Sequence, residues 1–137
     1  MNKHHLFLHF IAKVYGAKLV IKRPKKDRRI RGEYDVESRT IIVYDFDNLH
    51  VSICALFHEL GHDYCVKNNK WVDYHTRPIM PLNGFRTAWQ AENWVDKWAE
   101  SEYYRVFRGG FRGQGYEQLY RSDCSKQYIK ELYQRVA

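Results

Sequence analysis

Residues 58–62 read His-Glu-Leu-Gly-His. On an α-helix, positions four apart lie on one face, one turn above the other. His58 and His62 can therefore aim two imidazoles at one ion, and a neutral imidazole nitrogen binds zinc at about 2.0–2.1 Å. Glu59, one residue on from His58, is rotated around the helix and stands beside the ion as a base, not as a ligand. Zinc lowers the pKa of a bound water to about 7. A neighbouring carboxylate can take that water's proton and deliver it to a leaving amine. The pattern therefore points to zinc-assisted hydrolysis of a peptide bond, with one Zn2+ as the cofactor. Two surface histidines on a solvated helix are the plain alternative. The apolar run Ile53–Phe57 leading into the motif argues against it.

A catalytic zinc takes three protein ligands and keeps one position open. The extended pattern H-E-x-x-H-x-x-G-x-x-H fails here, because Cys65 stands at its glycine position and Asn68 at its third histidine. A carboxylate from a later helix is the alternative. Glu92 and Asp96 lie four apart in the stretch Thr87–Phe107, with Ala88, Val95, Ala99 and Tyr103 on the same side. Small residues there would let that helix pack close to the His58–His62 helix. Glu92 is expected to bind zinc. Asp96 is expected to accept the ring N–H of a liganding histidine, which sets the tautomer and raises ligand basicity. His75, in the intervening loop, is the rival ligand. It is otherwise a candidate, with Tyr103, to stabilise the oxyanion of a tetrahedral intermediate or to touch substrate. Tyr64, Tyr74 and Tyr104 compete for that role.

His58-Glu59-Leu60-Gly61-His62 followed by Glu92-Asn93-Trp94-Val95-Asp96-Lys97-Trp98-Ala99 resembles gluzincin-type HExxH zinc metallopeptidases. More narrowly, it resembles the ImmA/IrrE family, with its glycine-led hairpin, H-E-L-G-H helix and later E-x-E-A-[DN]-x-F-A segment. The resemblance runs from Gly32 to Ala99. Glu92 matches the liganding glutamate, Asp96 the Asp/Asn, Trp98 the aromatic and Ala99 the alanine. Trp94 and Val95 stand where that segment has glutamate and alanine, and Ser101-Glu102-Tyr103-Tyr104 stands where L-L-M-P usually follows. The resemblance implies a small zincin-like domain. It also implies an intracellular protease, of bacterial, phage or mobile-element kind, that cleaves a repressor or other regulatory protein.

Such a site needs elements to position it. Leu6, Phe10 and Val14, with Phe7 and Ile11, recur at helical spacing and predict a first helix over Lys3–Tyr15, stopped at Gly16. Lys18–Lys22 reads as a strand and Pro24–Arg29 as a basic loop. Gly32–Val36 and Thr40–Tyr44 read as a hairpin turning at Glu37–Arg39. Asp47 or Asn48 can cap the motif helix, which runs to about Val66. Gly61 within it costs about 1 kcal/mol against alanine, which predicts the close approach of another backbone, a strand edge or a substrate strand. Asn68–Gly84 is an irregular loop, Thr87 can cap the glutamate helix to Phe107, and Arg108–Gly115 is glycine-rich. Tyr116–Val136 is a final amphipathic helix. The predicted fold is α+β and zincin-like, a small twisted sheet of about three strands on the H-E-x-x-H helix and the glutamate helix, flanked by N- and C-terminal helices. A substrate would lie extended along a sheet edge.

Composition bounds the rest. A chain of 137 residues, 45% hydrophobic and 16% aromatic, fits a single domain over 1–137 with a real core. No apolar run approaches the length of about 20 residues that spans a bilayer, and the N-terminus lacks the form of a signal peptide. Cys54, Cys65 and Cys124 show no C-x-x-C spacing, which fits reduced thiols in a cytoplasm. The net charge is +7, and eight basic residues between Lys18 and Arg31 face only Asp27. That 18–31 segment is a solvated loop or a surface for nucleic acid or an acidic protein. Arg108–Gly115 resembles a single RGG-type element, more simply an interhelical loop. His5 and His9 are four apart but lack a neighbouring ligand. Two other functions compete with the zinc peptidase. One is a basic, DNA-associated SprT-like protease with a third histidine such as His75. The other is a non-catalytic nucleic-acid-binding protein with a structural metal.

Overall fold

The computed structural model describes residues 2–68, 88–107 and 115–121, with 130 and 134. In chain order these form α1 (Lys3–Val14), β1 (Lys18–Lys22), β2 (Gly32–Asp35), β3 (Thr40–Tyr44), α2 (Leu49–Lys67), α3 (Ala88–Phe107) and α4 (Glu117–Arg121). The architecture is α+β with a three-stranded mixed sheet. Tyr74, His75, Thr87, Cys124, residues 108–114 and most of the expected C-terminal helix lie outside the described residues.

α1 begins where the Asn2 side chain accepts the His5 N–H at 2.8 Å. It stops at Gly16, whose φ of 67° suits a residue without a Cβ. Phe7, Leu8, Ile11, Ala12 and Val14 are buried, while Leu6 is exposed. The expected row Leu6–Phe10–Val14 fails at its first member because rows of every fourth residue run oblique to the helix axis. Phe10 and Val14, further along that row, do pack on the core.

The sheet order is β1-β3-β2. β1 runs parallel to β3, and β2 pairs antiparallel with it, Gly32 opposite Val43 and Asp35 opposite Thr40. The strand richest in β-branched residues, Thr40–Tyr44, takes the centre, where such side chains pack best. Ile41 and Val43 are fully buried toward the helices. Alternation puts Lys18, Val20, Lys22 and Ile42 on the opposite face. The expected hairpin forms, with β2 ending one residue earlier than predicted. The Asp35 carboxylate accepts the Glu37 N–H at 3.1 Å and the Ser38 hydroxyl at 2.8 Å, so the turn starts at Val36.

Of the two expected caps, Asn48 serves α2, since its side chain accepts the Val51 N–H at 3.1 Å. Asp47 instead makes the preceding bend, at φ 56°. α2 is the central element, packed on β2 and β3 on one side and on α3 on another.

Gly61 is where α2 and α3 meet. A Cβ there would stand 2.7 Å from Val95 Cγ1 and 3.2 Å from Trp98 Cε3. The close neighbour is thus a helix, not the strand expected from sequence. Two effects oppose each other in Gly61→Ala. Removing a helical glycine gains about 1 kcal/mol, but overpacking costs about 1–3 kcal/mol. Val95 is fully buried and β-branched, so it yields little. Overpacking should win, and Gly61→Ala should lower stability by about 1 kcal/mol net. Adding Val95→Ala should cancel the clash, seen in urea midpoints as a favourable coupling between the two changes. A midpoint raised by Gly61→Ala alone would show that the helices separate without strain.

Candidate metal centre

The i, i+4 spacing on α2 brings His58 and His62 together, with their Nε2 atoms 3.3 Å apart. The close crossing at Gly61 then carries Glu92 of α3 onto the pair. Glu92 Oε2 lies 2.9 Å from His58 Nε2, and Oε1 lies 3.1 Å from His62 Nε2. Among the described residues these three form the one His/Cys/Asp/Glu group with ligand spacing, its atoms all within 4.8 Å of one another. The donor set fits zinc. Two zinc–nitrogen bonds at a tetrahedral angle hold their nitrogens about 3.3–3.4 Å apart, which is the separation found. His58 Nδ1 donates to Asp96 Oδ1 at 2.8 Å, so a neutral ring keeps its Nε2 lone pair for a metal. His58, His62, Glu92 and Asp96, picked out in the sequence, are thus brought together in one cluster that could hold a metal.

Glu59 stands beside this cluster and outside it. It is 7% exposed. A Cβ on Gly32 of β2 would lie 3.1 Å from Glu59 Cγ and 3.4 Å from its Oε1, so the strand makes room for the carboxylate by having no side chain there. Burial pushes the Glu59 carboxyl up, against the pull of the His62 and His58 rings. A buried carboxylate that gains a proton readily is suited to take one from water.

The metal-free charges are strongly coupled. Burial disfavours the His58 cation, but Glu92, Glu59 and Asp96 outweigh it and hold the ring up to about 9. Burial likewise acts against the Glu92 anion, and the His58 and His62 rings overcome it, holding the carboxyl well below its ordinary range. A histidine raised from 6.5 to about 9 stabilises the fold fully below 6.5, and that stability is lost as pH rises through 9. Zinc requires the deprotonated ring, so its apparent affinity should climb with pH by up to about tenfold per unit below 9. Thermal melts with chelator and with zinc should therefore diverge as pH rises from 6.5 to 9. Parallel melting curves would show that His58 carries no such proton.

Two further residues adjoin the cluster with no motif in the sequence to mark them. Tyr34 of β2 stacks its ring on His62, with centroids 6.4 Å apart and planes 15° from parallel. Its hydroxyl donates to Asp63 Oδ1 at 2.6 Å. Asp63 is 2% exposed and is also held by Lys67 Nζ at 2.9 Å and Arg39 Nε at 3.5 Å. A buried carboxylate with three partners anchors the tyrosine, and the tyrosine flanks the ligand ring. The available signal was alternation: Gly32 and Tyr34 are the inward positions of β2.

Other expected residues fall elsewhere. Tyr103 is 0% exposed, its ring against Phe57, Phe107 and His50. It lies about 16 Å up the helix axis from Glu92, so it is a core residue and not an oxyanion or substrate group. Tyr104 is as distant along α3, and Tyr64 stacks on Trp94 at 5.8 Å. His75 and Tyr74 lie outside the described residues. His5 Nε2 meets Asp45 Oδ2 at 2.6 Å, which fastens α1 to the end of β3. Cys65 is buried, as expected of a packing residue, and Cys54 is half-buried, with its thiol pushed up to about 11 by burial.

A scan of protein-family models, a search of curated proteins and a search of solved structures each returned no match for the chain. Among the described residues, no helix is long and apolar enough to cross a membrane.

Proposed function

We propose that this chain is a zincin-like, zinc-dependent endopeptidase acting on a protein substrate in the cytoplasm, a regulatory protein by analogy with the ImmA/IrrE family. The observation that carries the reading is the convergence of His58 Nε2, His62 Nε2 and the Glu92 carboxylate on one point, with the buried Glu59 beside it. His58, His62 and Glu92 would hold the metal, and Asp96 would orient His58 through its Nδ1–H. Zinc, when bound, acidifies a water and polarises a carbonyl oxygen. Glu59 takes the proton from the attacking water onto its carboxylate and returns it to the amide nitrogen as the peptide bond breaks. β2 borders the site with Gly32 against Glu59 and Tyr34 against His62. A peptide added at the edge of β2 would therefore pass both residues, and backbone pairing would hold it extended.

The test is metal content and turnover together. Purified protein should carry one zinc per chain and cut a denatured, fluorescently quenched protein. A chelator should abolish cutting and zinc should restore it. Zinc-loaded protein that cuts no unfolded polypeptide under any condition would overturn the assignment.

A further inference from the structure

The connection from β1 to β2 carries charge that the metal centre does not use. It crosses the end of the sheet from one edge to the other. Asp45 N donates to Lys22 O at 2.9 Å, and Tyr44 N donates to Arg31 O at 3.0 Å, so both ends of the connection are fastened at the end of β3. Within it, Lys25 pairs with Glu33 at 2.7 Å and Arg29 with Asp27 at 3.0 Å. Lys22, Arg23, Lys26, Arg28 and Arg31 are exposed and form no ion pair among the described residues. The connection runs directly into Gly32, the residue packed on Glu59. A cationic rim thus adjoins the general base.

Two kinds of polyanion could answer this charge, and the surroundings favour one. Sequence-tolerant single-strand binding needs exposed rings for base stacking. Tyr44 is buried and covered by Lys25 at 5.8 Å, and Arg28 lies over Phe46 at 5.8 Å. The aromatic faces here already carry the chain's own cations. A peptide has a route to the rim along β2. Antiparallel pairing is the more stable mode, and a strand added that way runs from the Asp35 end toward the Gly32 end. Its C-terminal part then reaches the cations.

We propose that the 22–31 connection binds an acidic segment of the protein substrate, lying C-terminal to the bond cleaved. This rests on the peptidase reading. Attraction of a few exposed charges is modest, on the order of tenfold in affinity, and it falls with added salt.

The experiment uses the full chain, zinc-loaded and carrying Glu59→Gln, so that binding is read without turnover. Three labelled peptides share one apolar centre: one has a glutamate run on its C-terminal side, one has the run on its N-terminal side, and one has glutamines instead. Fluorescence anisotropy should show the C-terminal acidic peptide binding about tenfold tighter than the glutamine peptide. The preference should vanish at high salt and in a variant combining Arg23→Glu, Lys26→Glu and Arg28→Glu with unchanged zinc content. Equal binding of the acidic and glutamine peptides, or tighter binding of the N-terminal acidic peptide, would overturn the proposal. So would duplex DNA displacing the peptide at lower concentration than unlabelled peptide does. Failure of the peptidase reading is read separately, as absence of cleavage of all three peptides by zinc-loaded wild type.

Discussion

Glu59→Gln should leave one zinc bound and lower kcat by about 10²–10⁴-fold. Glu59 is not a member of the ligand group, so metal content should be unaffected. Glutamine keeps the shape that Gly32 accommodates but cannot accept the proton of an attacking water. Stability should hold or rise, because burial disfavours the carboxylate charge at this position and glutamine has none. The comparison needs kcat, KM and zinc content on the same preparation. KM should move little, since the lost interaction develops during reaction and not on binding. A variant within a few-fold of wild-type kcat would remove Glu59 from the mechanism. A variant that loses its zinc would make the residue structural.

Glu92→Ala should weaken zinc binding by more than about 100-fold, beyond the roughly 10–100-fold expected of Asp96→Ala. The first change removes a ligand atom. The second removes only the hydrogen bond that holds His58 in the right tautomer. The order of the two effects is the informative part, because an ordinary charged helix face would give small and equal ones. Competition against a chromophoric chelator measures both. Wild-type zinc affinity in Glu92→Ala, with loss in His75→Ala, would move the third ligand to His75 and favour a three-histidine site. Metal-free Glu92→Ala should also lose stability below pH 6.5, where the His58 cation loses one of its two carboxylate partners.

Several of these features were legible in the sequence because they depend on near neighbours. The His58–His62 pairing follows from helical periodicity alone. The bounds of β1 and β3 match the predicted Lys18–Lys22 and Thr40–Tyr44, because β-branched runs closed by charged or turn residues admit few other readings. Glu92 and Asp96 could be picked out as a pair on one face. That they reach His58 depends on how closely two helices cross, which Gly61 and Val95 decide together. Tyr103 shows the same limit from the other side. Its place on the predicted α3 face put it among site candidates, yet packing against Phe57 and Phe107 buries it far up the helix.

Short-range pattern was enough to mark which side chains could bind a metal, which could serve as the base, and which local elements carry them. Spacing, capping and alternation are properties of a few consecutive residues, and they hold wherever those residues are placed. Folding was needed to set the crossing of α3 on α2 at Gly61, to place Gly32 where it opens space for Glu59, and to bring Tyr34, held by Asp63, against His62. Those relations join residues about 30 positions apart, and they arise only when close packing leaves one way for the elements to fit.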